Sequence, residues 1–150
     1  GRAVALLTRY ARRSRETDMT IRRRVLIVDD DDRVRYVLHR ALVRLADGFQ
    51  VFAAQNGREA LELARQDDFD LVIADLGLSE MSGLQFTRAL KDVDGETMVI
   101  WITVDDCRDL RRAADRLAVH DCLEKPLEIS EFRQAVREAL AEIEAPNAPH

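Results

Sequence analysis

Short apolar runs of strand length recur five times along this chain, and a stretch with helical periodicity follows each of them. Charged or turn-forming residues bound every run, which is typical of strands buried in a sheet. Strands that alternate with helices build βαβ units, in which the strands are parallel and helices cover both faces. The sequence therefore predicts a doubly wound α/β fold with five parallel strands. The predicted strands are 25–28, 49–54, 70–74, 98–103 and 121–124.

Apolar stripes and end signals define the five predicted helices. We expect Asp31 or Asp32 to cap the first helix and Ser130 to cap the last. Asp47-Gly48 is expected to end the first helix, whereas the fourth has no terminal glycine. The predicted helices run from the capping aspartates to about residue 46 and over 58–66, 84–93, 106–118 and 130–144.

The length and charge of the chain limit its organisation. A chain of 150 residues fits one domain, predicted over 23–144 and followed by a tail over 145–150. Residues 1–22 read as a basic extension, partly disordered, in which Met19 is a candidate natural start. Residues 1–24 carry +6 and the remainder −11, so the predicted domain is acidic and direct nucleic-acid binding is not expected. No apolar run approaches the ~20 residues of a membrane span, so no membrane association is expected.

The two cysteines, Cys107 and Cys122, match neither a metal-binding spacing nor a disulfide framework. They are expected to be inert thiols in a reducing, cytoplasmic setting.

Polar residues follow four of the five predicted strands. Because carboxyl ends of parallel strands share one edge of a sheet, we expect these side chains to converge there. Three clustered carboxylates repel one another unless a cation lies between them, and oxygen ligands without His or Cys suit Mg²⁺. The candidate site residues are Asp29 and Asp30 after the first strand, Asp75 after the third, Thr103 ending the fourth and Lys125 after the fifth.

A carboxylate beside Mg²⁺ is also a candidate nucleophile in phosphoryl transfer. An ammonium group and a hydroxyl group could bind the oxygens of the incoming phosphoryl group. We therefore predict that Asp75 accepts a phosphoryl group, with Lys125 and Thr103 beside it.

Four short motifs occur in order at 25–30 (VLIVDD), 70–75 (DLVIAD) with 81–83 (MSG), 101–103 (WIT) and 124–127 (EKPL). Their spacing, 45 residues from Asp30 to Asp75, 28 to Thr103 and 22 to Lys125, resembles that of response-regulator receiver domains of two-component signalling. The resemblance covers about residues 23–144. It implies a flavodoxin-like strand order of 2-1-3-4-5.

The resemblance also implies roles for individual residues. Asp75 would accept phosphate from a phosphohistidine on a histidine kinase or a phosphotransfer protein. Asp30 and Asp75 would ligate Mg²⁺ directly, Asp29 largely through water, and Gly77 through its backbone carbonyl. Thr103 and Lys125 would contact the phosphoryl group. The fourth helix, fifth strand and fifth helix would then change their binding of a downstream protein target, and part of the last helix is a candidate homodimer contact.

Several positions depart from the family pattern. Leu78-Ser79 replaces the usual Met-Pro, and Val104 replaces a small residue after the switch threonine. Cys122 stands where an aromatic residue usually couples to that threonine, so this coupling cannot take its usual form. Ala118-Val119 replaces a common Gly-Ala, which predicts an irregular end to the fourth helix.

Two other functions stay open at this point. A Mg²⁺-dependent phosphohydrolase would usually carry an Asp-x-Asp loop, and here Asp75-Leu76-Gly77 lacks the second aspartate. A pseudo-receiver that docks without phosphorylation stays open because of Cys122 and Val104, but the complete set of pocket residues argues against it. The predicted chain is not an enzyme beyond catalysing its own phosphorylation and dephosphorylation.

Overall fold

A computed structural model describes residues 23–45 and 48–144. It contains a five-stranded parallel sheet in the order β2-β1-β3-β4-β5, which confirms the predicted doubly wound fold and its strand order. The predictions about residues 1–22, Ala46, Asp47 and 145–150 lie outside the described residues. The strands are β1 (Arg23–Val28), β2 (Phe49–Ala54), β3 (Leu71–Asp75), β4 (Met98–Thr103) and β5 (Asp121–Glu124).

Within the described residues, four α-helices and one 3₁₀ turn connect the strands, and a fifth α-helix follows β5. The 3₁₀ turn, Cys107–Leu110, runs directly into the fourth α-helix. The α-helices are α1 (Asp32–Leu45), α2 (Gly57–Gln66), α3 (Gly83–Val93), α4 (Arg111–Arg116) and α5 (Ile129–Glu144).

The sheet separates two apolar layers, because successive side chains of a strand point to opposite faces. Leu42 of α1 and Phe132 of α5 pack on one face, where they meet Ile27 and Ile100. Residues of α2, α3 and α4 pack on the other face, around the buried Trp101. Both faces of the central strands are therefore buried, and the polar residues that follow the strands lie at one rim of the sheet.

The helix ends correct two expectations. Asp31 caps α1 as predicted, since its carboxylate accepts the Arg33 N–H at 2.8 Å. Ser130 is not the cap of the last helix, because α5 already begins at Ile129. The backbone carbonyl of Glu128 accepts the first helical bond, from the Phe132 N–H. The Ser130 hydroxyl instead donates to the Glu128 carboxylate at 3.4 Å.

The predicted fourth helix is shorter and less regular than expected. Its first turn is the 3₁₀ turn, and α4 ends at Arg116. Ala118 then adopts a positive φ of 53°, a conformation that favours glycine. The irregular end predicted from Ala118-Val119 is therefore confirmed.

The cysteines contradict the prediction of inert thiols. Cys107 and Cys122 form a disulfide, with their Cα atoms 5.9 Å apart. The spacing in sequence gave no sign of this pairing, because it depends on how the 3₁₀ turn after β4 lies against the next strand of the sheet.

Among residues 23–45 and 48–144, none of the helices combines the length and the apolar character that crossing a membrane would require.

Candidate functional site

Backbone hydrogen bonds hold the residues just beyond the strand ends at one rim of the sheet. The Asp29 N–H donates to the Ala54 carbonyl at 3.2 Å, and the Lys125 N–H donates to the Thr103 carbonyl at 2.7 Å. The peptide bond that follows, Lys125-Pro126, is cis. Asp75 is itself the last residue of β3 and pairs with Ile102 of β4. These backbone hydrogen bonds thus fix the backbone positions of Asp29, Asp75 and Lys125 at the rim.

Three carboxylates meet at this rim. One oxygen each from Asp29, Asp30 and Asp75 lie within 4.8 Å of one another. Asp29 and Asp75 are buried, with exposed fractions of 1% and 6%, whereas Asp30 is open to solvent. Such a group leaves one side open, through which an ion or a substrate can approach.

Lys125 partly neutralises the cluster. Its Nζ lies 3.5 Å from Asp29 Oδ2 and 3.5 Å from Asp75 Oδ1. One ammonium therefore faces two buried carboxylates, and the third carboxylate adds a further negative charge. The rim retains an excess of negative charge that would favour a cation.

Burial raises the pKa of Asp29, and the neighbouring charges of Asp75 and Asp30 raise it further. The Asp31 N–H, which donates to Asp29 Oδ1 at 2.9 Å, and the charge of Lys125 oppose that pKa shift. The second oxygen, Asp29 Oδ2, is buried and has no hydrogen-bond partner among residues 23–45 and 48–144. A divalent cation would satisfy this oxygen and the repulsion together, so the residues present fit Mg²⁺.

Two glycines shape the chain around Asp75. The Gly77 N–H donates to Asp75 Oδ1 at 3.2 Å, and a Cβ at Gly77 would lie 3.7 Å from that oxygen. At Gly83 a Cβ would lie 2.5 Å from the Asp75 carbonyl oxygen, so only glycine allows α3 to start this close to β3. Ser82 caps α3 through a capping box with Gln85.

Ser79 is a site residue that the sequence reasoning did not identify. Its hydroxyl donates to Asp30 Oδ2 at 3.0 Å and orients the one exposed carboxylate of the cluster. The replacement of the usual Met-Pro by Leu78-Ser79 did not by itself indicate a role for this hydroxyl. A hydroxyl two residues beyond Gly77, facing a carboxylate-rich rim, was the signal that could have identified it.

Thr103 lies at the same rim, buried to an exposed fraction of 1%. Its Oγ1 accepts the Asp105 N–H at 3.0 Å. Val104, the next residue, is 78% exposed. The structure thus brings together the four charged residues of the predicted site and places Thr103 at the end of the adjoining strand.

Comparisons with known proteins agree with this geometry. Residues 25–137 match the family described as response regulator receiver domain. Sporulation initiation phosphotransferase F of Bacillus subtilis is 31% identical over 117 residues, which are 78% of this chain and 93% of that protein. The response regulator MprA of Mycolicibacterium vanbaalenii is 34% identical over 78% of this chain but only 50% of its own length.

A solved structure of the response regulator protein TrrA from Thermotoga maritima, in complex with Mg²⁺-BeF, is also similar. It superposes with a TM-score of 0.68 at 25% identity, covering 78% of this chain and 98% of that one. The chain spans about half the length, or less, of several other curated regulators that it matches. With the family match covering most of the chain, this protein belongs to the response regulator receiver domain family.

Proposed function

We propose that this domain is a phosphoacceptor switch in which Asp75 takes a phosphoryl group from a phosphohistidine on a histidine kinase or phosphotransfer protein. The observation that carries the proposal is the Asp75 carboxylate, buried beside two further acids with Lys125 Nζ at 3.5 Å. A carboxylate oxygen attacks phosphorus, the nitrogen–phosphorus bond breaks, and the leaving imidazole takes up a proton.

The other residues would orient the reacting groups and balance their charge. Lys125, already within reach of Asp75, would bind a phosphoryl oxygen. The Gly77 N–H donates to Asp75 Oδ1 and so orients the other carboxylate oxygen of Asp75. The Thr103 hydroxyl would donate to the phosphoryl group while its oxygen still accepts the Asp105 N–H, because a hydroxyl can donate and accept at the same time. Thr103 would thus link the phosphoryl group to the chain that follows β4.

Asp29, Asp30 and Asp75 would hold Mg²⁺, with the Gly77 carbonyl as a further ligand. When bound, Mg²⁺ would neutralise charge on the transferring phosphoryl group. The Ser79 hydroxyl would keep Asp30 aimed at the ion through the bond already present at 3.0 Å. The complex of TrrA with Mg²⁺-BeF supports this assignment by family likeness.

Phosphorylation adds about −1.5 to −2 charges to a rim that is already acidic. We infer that the resulting rearrangement changes how the α4, β5 and α5 surface binds a downstream protein. Two curated relatives of greater length, YkoG of Bacillus subtilis and ZraR of Klebsiella oxytoca, are named as transcriptional regulatory proteins, and this chain matches only part of each. A cytoplasmic location stays a prediction, and the cysteines no longer support it because they form a disulfide.

The proposal is tested by incubating the protein with a small phosphodonor, acetyl phosphate, and Mg²⁺. The intact mass should rise by one phosphoryl group in the wild type and remain unchanged in Asp75→Asn. Ser82→Ala is a matched control, because Ser82 lies in the same loop but caps α3 rather than contacting the acids. No modification of the wild type would favour a phosphorylation-independent docking module, and turnover of unrelated phosphate esters would favour a hydrolase.

A further inference from the structure

The Cys107–Cys122 disulfide connects the two polypeptide segments that carry Thr103 and Lys125. Cys107 begins the 3₁₀ turn four residues after Thr103, and Cys122 lies on β5 three residues before Lys125. The Cys107 N–H donates to the Glu124 carboxylate at 3.3 Å, on the same strand. The disulfide thus ties the chain that leaves the end of β4 to the adjacent strand, beside the acidic rim.

The segment that the disulfide holds is otherwise weakly packed. No residue of the 3₁₀ turn or of α4 is buried. Its apolar contacts with the core come from partly buried side chains such as Leu110 and Ala113. The segment ends at Ala118, whose positive φ is unfavourable for a residue with a Cβ. Elements with few buried contacts open more readily than the core, so this covalent bond is a major restraint on residues 104–118.

We propose that Cys107 and Cys122 form a redox site at which a dithiol reductant releases residues 104–118 from β5. Both cysteines are partly exposed, so a reductant can reach the disulfide. In the oxidised form the disulfide holds residues 104–118 against β5, and in the reduced form this covalent restraint is absent. The proposal goes beyond phosphorylation at Asp75, because it assigns a second chemical input to the same end of the sheet.

The reaction is a thiol–disulfide exchange. A thiolate of the dithiol attacks one sulfur, the bond between Cys107 and Cys122 breaks, and the displaced cysteine leaves as a thiolate. The second thiol of the reductant then attacks the mixed disulfide and releases the other cysteine. Two electrons and two protons pass to the protein in total, and the reductant becomes a disulfide.

Trp101 supplies an optical signal for this change. It is the single tryptophan of the chain and is fully buried, and it pairs with Cys122 across β4 and β5. Disulfides quench nearby indole fluorescence, so reduction should raise the Trp101 emission.

The test compares hydrogen exchange of the air-oxidised wild type with that of the same protein reduced by dithiothreitol. Amides in 104–118 should exchange at least tenfold faster after reduction, while those of β1 and β3 change less than twofold. The Cys107→Ser/Cys122→Ser variant should exchange like the reduced protein and should not respond to dithiothreitol. Reoxidation by oxidised glutathione should restore slow exchange and the lower Trp101 emission.

Two results would overturn the proposal. Mass spectrometry after alkylation could show both thiols free even after treatment with oxidised glutathione. Alternatively, the disulfide could form and break while exchange in 104–118 stays the same. Because the wild type alone gives both redox states, a folding failure of the double variant would leave the test intact. No phosphodonor is present, so the result does not depend on whether Asp75 is phosphorylated.

Discussion

Clusters of charged side chains occupy opposite ends of the sheet, and they differ in how far the protein itself balances their charges. At the amino end of β1, Arg24 makes an ion pair with Asp67 at 2.6 Å and a hydrogen bond with Gln50 at 3.2 Å. Its guanidinium also lies 4.7 Å from the ring centre of Phe52. At the carboxyl end, three carboxylates face one lysine, and the buried Asp29 Oδ2 accepts no hydrogen bond within the part of the chain that the structure describes.

This difference in charge balance is what we expect between a structural cluster and the proposed functional one. Around Arg24 the acid Asp70 accepts the backbone N–H of Arg24 at 2.9 Å and returns its own N–H to the Arg24 carbonyl. Asp67, Asp70 and Gln50 thus supply partners that hold β1 in place at this end, although Arg24 Nε, like Asp29 Oδ2, has no hydrogen-bond partner among the described residues. At the other end the protein leaves a charge imbalance, and a group from outside the chain would remove it. Repulsion between the three carboxylates lowers the stability of the free protein. Binding of a cation would remove this repulsion.

The largest expected effect is stabilisation of the carboxyl end by Mg²⁺. At a Mg²⁺ concentration of 100 times Kd, the free energy of unfolding should rise by about 2.7 kcal/mol, because the ion binds only the folded protein. Thermal unfolding measured with and without Mg²⁺ checks this. In Asp29→Asn most of the increase should be lost. An equal increase in both proteins would place the ion elsewhere.

Removing the guanidinium at the amino end should give a somewhat smaller effect of the opposite sign. Arg24→Ala should lower the free energy of unfolding by about 2 kcal/mol, since Asp67 loses its ion-pair partner and Phe52 its packed cation. Mg²⁺ affinity should stay the same, because this cluster lies at the far end of β1. Denaturant unfolding and a Mg²⁺ titration test both statements.

The control for Arg24→Ala is Arg58→Ala. Arg58 pairs with Glu80 at 3.4 Å, but the two side chains are 83% and 69% exposed. Surface pairs contribute little, so stability should change by less than about 0.5 kcal/mol. If both arginine variants lose equal stability, the cluster at the amino end has no special structural role.

The pH dependence of stability should also come from the carboxyl end. Because the pKa of Asp29 is raised by folding, the folded protein holds this proton more tightly than the unfolded chain. Its stabilising contribution is complete below the ordinary pKa of 3.8 and is lost as the pH rises through the raised value. Without Mg²⁺, Asp29→Asn should be more stable than the wild type at pH 7, and the difference should shrink towards pH 4.

Unfolding curves at several pH values test this prediction. Asparagine is a suitable replacement because its side-chain oxygen can still accept the Asp31 N–H. A difference between the two proteins that is independent of pH would contradict it.

The smallest expected effect concerns access to Asp75. Val104 is 78% exposed directly after Thr103, and we predict that its side chain narrows the approach of small phosphodonors. Val104→Ala should speed phosphorylation by acetyl phosphate roughly threefold, less than 1 kcal/mol of barrier. The matched control is Val43→Ala, at an exposed position on α1. Leu110→Ala would not serve, because Leu110 packs against the core. An unchanged rate in Val104→Ala would refute the idea.

The sequence predicted the sheet and the position of the site because both depend on local patterns. Apolar runs identify strands, and the residue that follows each run must lie at the rim, so Asp29, Asp75 and Lys125 could be placed together. Helix starts were less certain. Asp31 was correctly predicted as a cap. Ser130 was not, because α5 begins one residue earlier, at Ile129, and the Glu128 carbonyl accepts its first hydrogen bond.

The features that were missed depend on contacts between segments whose relative placement the pattern does not specify. Cys107 and Cys122 are 15 residues apart on a turn and a strand, and only the position of the turn against β5 brings them together. The bond from Ser79 to Asp30 joins residues 49 apart and depends on how the loop after β3 folds back. The cluster around Arg24 likewise draws on three segments, and no motif marks it.

The proposed switch requires above all that the three acids form a cation site beside a reactive Asp75. The direct measurement is the rate of phosphoryl incorporation from acetyl phosphate as a function of Mg²⁺ concentration. We predict saturable dependence on Mg²⁺, no incorporation in EDTA, and no incorporation in Asp75→Asn at any concentration. Incorporation at Asp75 at the same rate in EDTA would contradict the claim.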